Sequence, residues 1–136
     1  MGEKRQQLRA LAIDANQDVL NLFVELLQLK DFQVVGKGHS GQEAVEMYRT
    51  LRPDITFLDV FTSDGDGLYA LEKIREINPN AIVIMVTADL VAATAERLKE
   101  LHASAVIYKP FDINDIVNLV KDLISKTNVN QTKFLN

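Results

Sequence analysis

The amino-acid sequence predicts an α/β domain in which a doubly wound, five-stranded parallel sheet is covered by five helices. Two observations support this prediction. Short apolar runs alternate five times with stretches of helical periodicity, and most of these runs are apolar almost throughout. Strands have this pattern when helices cover both faces of a parallel sheet. A chain of 136 residues is long enough for one domain with a hydrophobic core and short for two.

Five apolar runs have the length of strands, and we predict one strand at each. They comprise residues 8–13, 32–35, 55–58, 82–86 and 105–108. Helix- and strand-breaking residues predict where elements end. These are Gly36 and Gly38 after the second run, Pro53 before the third, Asn78-Pro79-Asn80 before the fourth and Pro110 after the fifth.

The stretches between and after these runs carry apolar residues at steps of three and four, which is typical of amphipathic helices. The stripes are Val19, Leu20, Phe23, Leu26 and Leu27; Ala44, Met47, Tyr48 and Leu51; Leu68, Leu71, Ile74 and Ile77; Leu90, Leu98 and Leu101; and Ile113, Ile116, Val117, Val120 and Ile124. The alternation predicts βαβ units with right-handed crossovers. We assign the domain to residues 1–126 and expect the polar tail, 127–136, to fray.

Composition limits the possible functions. Hydrophobic residues make up 47% and charged residues 25%, as in ordinary globular proteins, and the lack of cysteine excludes disulfides and cysteine-ligated metals. Residues 1–9 are too polar for the apolar part of a signal peptide, and no apolar run is long enough to span a membrane. The net charge of −4 without a basic cluster argues against nucleic-acid binding. We expect a cytoplasmic protein that binds neither membranes nor nucleic acid directly.

Residues with chemical potential follow four of the predicted strands. The first run ends in Asp14, the third in Asp59, the fourth in Thr87, and the fifth leads into Lys109. Ligands of doubly wound sheets bind at the carboxyl ends of the strands, near the point where the strand order reverses. Two acids, a hydroxyl group and a cation are therefore expected to converge at one edge.

This set, in this order, resembles the receiver domains of two-component response regulators over residues 8–125. The matching stretches are Asp54-Ile55-Thr56-Phe57-Leu58-Asp59, Asp66-Gly67-Leu68, Val86-Thr87-Ala88 and Lys109-Pro110-Phe111. The resemblance implies a flavodoxin-like (CheY-like) fold with strand order 2-1-3-4-5. It also implies phosphorelay signalling, with no enzymatic activity beyond the protein's own phosphorylation and dephosphorylation.

The resemblance assigns a role to each of these residues. Asp59 would accept a phosphoryl group from a sensor histidine kinase or a phosphotransfer protein. Lys109 would pair with Asp59 before the transfer and with the phosphoryl group after it, and Thr87 would donate its hydroxyl to a phosphoryl oxygen. An unidentified effector protein would recognise the changed surface near the fourth helix, fifth strand and fifth helix. The protein would be a monomer or a weak, phosphorylation-dependent dimer.

Receivers hold Mg²⁺ between two consecutive acids after the first strand, the phosphoacceptor and a backbone carbonyl two residues beyond it. Asp14, Asp59 and Phe61 match three of these ligands, but Ala15 occupies the position of the second acid. We therefore expect weakened Mg²⁺ binding and less like-charge repulsion around Asp59. Four nearby polar residues are candidates to replace the missing second acid as a ligand of Mg²⁺. Asn16 and Asp18 are better interpreted as a helix cap and a partner of the helix dipole, while Asp64 and Asp66 lie in a polar, glycine-rich turn.

Two further departures from the receiver pattern lead to expectations. The fifth-strand aromatic residue of the family's switch is replaced by Val106, so signalling would rely on backbone motion near Thr87. Phe61 and Asp89 lie where receivers tune dephosphorylation, and a bulky Phe61 predicts slow autodephosphorylation. His39 and His102 have no companion at metal-ligand spacing and are expected at the surface.

Other classes fit the sequence less well. A pseudo-receiver, which keeps the fold as an interaction module without phosphorylation, remains the alternative and is favoured by Ala15. An electron carrier of the flavodoxin type needs a hydroxyl- and glycine-rich loop where this chain has Asp14-Ala15-Asn16-Gln17. A phosphatase of the haloacid-dehalogenase type needs a second acid where Asn16 stands, and no P-loop motif is present.

Overall fold

The computed structural model describes residues 7–62, 66–88, 90–125 and 132–135. Strands and helices alternate along this part of the chain. In order they are β1 Arg9–Ile13, α1 Gln17–Leu29, β2 Gln33–Gly38, α2 Gly41–Leu51, β3 Ile55–Asp59, α3 Gly67–Ile77, β4 Ile82–Thr87, α4 Ala92–Glu100, β5 Ala105–Tyr108, α5 Ile113–Ser125 and β6 Lys133–Leu135. None of the helices described is both long and apolar enough to cross a membrane.

The strands form one sheet in the order β2-β1-β3-β4-β5-β6, and all the pairs are parallel. The predicted doubly wound fold and the order of its first five strands are confirmed. One hydrophobic cluster lies between the sheet and helices α1 and α5, and a second lies between the sheet and helices α2, α3 and α4. Strand β3 is buried along its whole length, because helices cover both of its faces.

The C-terminal tail departs from the prediction. We expected five strands and a frayed tail, but residues 133–135 form a sixth strand beside β5. The reason lies in the two apolar residues of the tail. Phe134 packs against the cluster under α4, and Leu135 packs against the cluster under α5. The predicted boundary at residues 126 and 127 lies outside the described residues.

Gly36 and Gly38 were predicted to end the second strand, and this prediction was right for Gly38 and wrong for Gly36. Both lie within β2, which continues to Gly38. A Cβ atom on Gly36 would come within 2.9 Å of the Leu51 side chain, and one on Gly38 would come within 2.7 Å of the Met47 side chain. The glycines therefore allow helix α2 to pack closely on an edge strand.

Side-chain caps mark the start of helices α1, α2 and α3, and of these caps only Asn16 was predicted. The side chains of Asn16, Ser40 and Asp66 accept hydrogen bonds from the backbone of the first turns of α1, α2 and α3. The apolar stripe of α5 was predicted less well. Ile124 is 47% exposed, whereas Leu119 and Leu123, which the predicted stripe omitted, are buried.

Candidate functional site

The four residues predicted from strand ends meet at the carboxyl edge of the sheet. Asp59 and Thr87 are the last residues of β3 and β4, while Asp14 directly follows β1 and Lys109 directly follows β5. These four strands are neighbours in the order β1-β3-β4-β5. The chain order reverses between β1 and β3, so the site lies where doubly wound sheets bind their ligands.

Lys109 lies between the two carboxylates. Its Nζ is 2.7 Å from Oδ2 of Asp14 and 3.7 Å from Oδ2 of Asp59. The backbone N–H of Lys109 donates to the carbonyl of Thr87 at 2.8 Å, which fixes the start of the β5–α5 connection against the end of β4. The sequence predicted a pair between Lys109 and Asp59. The structure contains this pair, and it also places Lys109 in a shorter contact with Asp14.

Asp59 is a buried carboxylate with a defined orientation, because the backbone N–H of Phe61 donates to its Oδ1 at 3.2 Å. Burial raises the pKa of Asp59, and the nearby Asp14 raises it further. The Phe61 N–H and the Lys109 cation oppose this change in pKa. The second oxygen, Oδ2, faces Lys109.

Asp14 is as buried as Asp59, and both oxygens of its carboxylate accept hydrogen bonds. Its Oδ1 accepts the backbone N–H of Asn16 at 2.9 Å, and its Oδ2 accepts Lys109. Its own N–H donates to the carbonyl of Gly38 at 3.1 Å. The Nδ1 of His39 lies 3.1 Å from the Asp14 carbonyl oxygen. His39, which we expected at the surface, is therefore partly buried beside the site. No sequence motif predicts its contact with Asp14.

Gly67 supports strand β3 in a way that sequence reasoning did not predict. Its backbone N–H donates to the carbonyl of Val60 at 2.8 Å. A Cβ atom at this position would lie 2.3 Å from the carbonyl oxygen of Asp59, a distance that no side chain can adopt. The first turn of α3 therefore packs directly on the backbone of Asp59. The signal in the sequence is the Asp66-Gly67 pair, which by itself gives no structural reason for the glycine.

Comparison with known proteins identifies the family. A family model described as "Response regulator receiver domain" matches residues 10–121. The chain belongs to the response regulator receiver domain family. It is 27% identical over 117 residues to the chemotaxis protein CheY of Halobacterium salinarum, which covers 86% of this chain and 97% of that protein. It is 29% identical over 109 residues to CheY of Thermotoga maritima, which covers 80% of this chain and 91% of that protein.

Solved structures agree with this assignment. CheY in a CheX–CheY–BeF3–Mg²⁺ complex from Borrelia burgdorferi has a TM-score of 0.81 and 25% identity, and the match covers 88% of this chain and 90% of that one. The receiver domain of NarL from Mycobacterium tuberculosis has a TM-score of 0.82 at 22% identity, covering 90% of this chain and all (100%) of that one, which shows the shared fold. The protein is therefore a receiver domain of two-component signalling.

Receiver domains bind Mg²⁺ at an acidic pocket, and this receiver brings two carboxylates to that place. Asp14 and Asp59 supply hard oxygen donors, and Phe61 belongs to the turn that holds Asp59. The donor set fits Mg²⁺, since this ion is often held by one or two carboxylates and retains waters. The described residues contain no group of three or more His, Cys, Asp or Glu side chains arranged to hold a metal.

The candidates for replacing the missing acid have other contacts or lie elsewhere. The side chain of Asn16 accepts the N–H of Val19 at 3.0 Å, and that of Asp66 accepts the N–H of Tyr69 at 2.8 Å, so both act as helix caps. Asp18 lies exposed in the first turn of α1. Ala15 itself, which directly follows Asp14, is exposed. Asp64 lies outside the described residues.

The remaining predicted residues differ in accessibility. Thr87 is fully buried at the end of β4, whereas the following Ala88 is exposed. Phe61, whose backbone N–H donates to Asp59, is 56% exposed. Val106, at the position of the switch aromatic, is fully buried in β5. Asp89 lies outside the described residues.

Proposed function

We propose that this receiver accepts a phosphoryl group on Asp59 from a sensor histidine kinase or a phosphotransfer protein, and that the modified domain is recognised by an effector protein. One observation carries the proposal. A partly buried cation, Lys109, bridges two buried carboxylates at the carboxyl edge of the sheet. Burying two carboxylates is costly even when a cation pairs with them, and such clusters concentrate at functional sites.

The geometry distinguishes the two oxygens of Asp59. Oδ1 accepts the N–H of Phe61, so Oδ2 is the nucleophile in the proposed transfer. Its attack forms an O–P bond and breaks the P–N bond of a phosphohistidine, whose electron pair returns to the imidazole and is protonated there. Phosphorylation adds negative charge beside Lys109. We infer that Nζ then moves from Asp14 towards a phosphoryl oxygen, while the Thr87 hydroxyl donates to another.

The Mg²⁺ of this site would be held by Asp14, Asp59 and the carbonyl of Phe61. When bound, it neutralises charge on the phosphoryl oxygens. Because Ala15 supplies no carboxylate, we propose that this receiver binds Mg²⁺ more weakly than receivers with both acids. Lys109 then carries a larger share of the charge neutralisation. Its Nζ lies within 4 Å of both Asp14, at 2.7 Å, and Asp59, at 3.7 Å.

Incubation with Mg²⁺ and acetyl phosphate tests the proposal, with intact mass as the readout. We expect a single phosphoryl adduct on the native chain and none on Asp59→Asn. Asp14→Asn is the matched comparison, since it removes the other buried carboxylate, and should lower the yield without abolishing the adduct. An unmodified native chain, or an adduct that persists in Asp59→Asn, contradicts the proposal.

A pseudo-receiver is the second candidate, and two observations favour it. Ala15 removes a metal ligand, and Lys109 lies closer to Asp14 than to Asp59. In that case the domain would bind its partner in one constant state. The absence of any adduct, together with unchanged partner binding by Asp59→Asn, would establish this alternative. In either case we propose a signalling protein, a monomer or weak dimer, with no enzymatic activity on other substrates.

A further inference from the structure

Strand β6 is held by few interactions. It has three residues, all of them partly buried. Within the described part of the chain it pairs only with β5, at the edge of the sheet. Ordering a short segment costs conformational entropy, which a small set of contacts offsets only narrowly. Elements with few buried contacts open more readily than core strands. Strand β6 can therefore leave β5 while the rest of the sheet stays folded.

The surface that binds β6 contacts each of its three residues differently, and these contacts together favour a particular order of residue types. Lys133 forms an ion pair with Asp122 of α5. The ring of Phe134 packs against the cluster under α4, where Nζ of Lys99 lies 5.7 Å from its centroid. Leu135 packs on the opposite side of the sheet, against the cluster under α5. The surface that binds β6 thus accommodates a basic, an aromatic and an aliphatic residue in succession.

The backbone of β6 pairs with β5 as a parallel strand. Ala105, Val106 and Ile107 of β5 pair with the three residues of β6, and the N–H of Lys133 donates to the carbonyl of Ser104 at 3.2 Å. Such main-chain pairing is how sheet edges bind extended peptides, with side-chain pockets adding selectivity. The edge of β5 can therefore pair with an additional strand, whether that strand belongs to the same chain or to another protein.

We propose that the edge of β5, with the adjoining sides of α4 and α5, is a docking site for an extended basic–aromatic–aliphatic segment of a partner protein, and that Lys133–Leu135 occupies this site as an intramolecular competitor. The partner segment binds when β6 leaves. The C-terminal strand thereby controls access to the face formed by α4, β5 and α5. Docking requires no phosphoryl group, so its failure would leave the proposed function of Asp59 untouched.

Hydrogen exchange on the full chain tests whether β6 protects β5. In the double variant Phe134→Ala, Leu135→Ala, we expect amides of residues 104–108 to exchange faster by about tenfold or more, with amides of β1 and β3 unchanged. Leu29→Ala is the matched control, because Leu29 is 77% exposed and far along the chain from β6. Lys133→Glu keeps both apolar residues and should shift exchange in the same direction, so the test does not depend on one variant folding.

A fluorescent peptide with the sequence Gln-Thr-Lys-Phe-Leu-Asn, that of residues 131–136, tests the docking site itself. We expect fluorescence anisotropy to show binding to the double variant at least about tenfold tighter than to the native chain, because a tethered competitor has a high effective concentration. The peptide with alanine in place of phenylalanine should not bind. Equal affinity for both proteins, binding to neither, or unchanged exchange would overturn the proposal. So would a native dimer that the double variant abolishes, since β6 would then dock between two copies.

Discussion

At the scale of single residues, the pocket is defined by one cation shared between two acids. Lys109 is closer to Asp14 than to Asp59, and the position of a third acid is taken by the exposed Ala15. The sequence predicted Asp14, Asp59, Thr87 and Lys109 together, because each stands at a strand end that the apolar runs mark. It could not predict how Lys109 divides its contacts, since that depends on distances between strands far apart in the chain.

Restoring the missing acid should strengthen metal binding. In Ala15→Asp we expect Mg²⁺ affinity to rise by about tenfold, equivalent to about 1.4 kcal/mol, because a further carboxylate joins two that are buried nearby. Titration calorimetry measures this directly. Ala15→Asn is the matched control, with the same shape but no charge, and should change the affinity little. An affinity unchanged by Ala15→Asp would show that another group already replaces the second acid.

The raised pKa of Asp59 predicts a pH-dependent effect of its removal. Burial raises the pKa of this carboxyl above its unfolded value, so its contribution to stability is present at low pH and is lost as the pH rises through the folded pKa. Asp59→Asn, which carries no titrating group, should therefore be more stable than the native chain at neutral pH. This difference should shrink in acid. Urea unfolding at several pH values measures it, and a native chain that gains stability relative to Asp59→Asn as the pH rises would contradict the assignment.

At the scale of elements, the apolar runs predicted strands β1 and β3 to β5 nearly to their ends, and helical stripes located all five helices. The failures have specific physical causes. Gly36 lies within a strand although glycine usually interrupts one. Helix α2 packs so closely on Gly36 and Gly38 that the side chains of Leu51 and Met47 leave no room for a Cβ atom there. Strand β6 has only two apolar residues, too few to form a recognisable run. Its stability comes from clusters built by α4 and α5, which no local pattern reveals.

The contact of α3 with β3 makes Gly67 a sensitive position. In Gly67→Ala the new Cβ would meet the carbonyl oxygen of Asp59, so α3 or the end of β3 must move. We expect a loss of about 2 to 4 kcal/mol in the free energy of unfolding, the range of a strained or overpacked site. We also expect slower phosphorylation by acetyl phosphate. Ala70→Gly, in the same helix, is the control for helix propensity. Full stability and unchanged phosphorylation of Gly67→Ala would show that the contact does not position Asp59.

At the scale of the whole molecule, the sheet connects the two surfaces for which we propose functions. The carboxyl edge holds the acidic pocket, and the outer edge carries β6 between α4 and α5. Strand β5 belongs to both, because it pairs with β6 through Ile107 and leads two residues later into Lys109. The sequence predicted the first surface from its strand ends. It could not predict the second, which exists only because the tail folds back on the sheet.

The central claim is that Asp59 is the phosphoacceptor, and locating the modified residue tests it most directly. After incubation with Mg²⁺ and acetyl phosphate, borohydride reduction converts an aspartyl phosphate into homoserine, which tandem mass spectrometry of peptides identifies by position. We predict homoserine at position 59 and at no other aspartate, including Asp14. Homoserine at another position, or aspartate retained at every position under conditions that modify a receiver with both metal-binding acids, would contradict the claim.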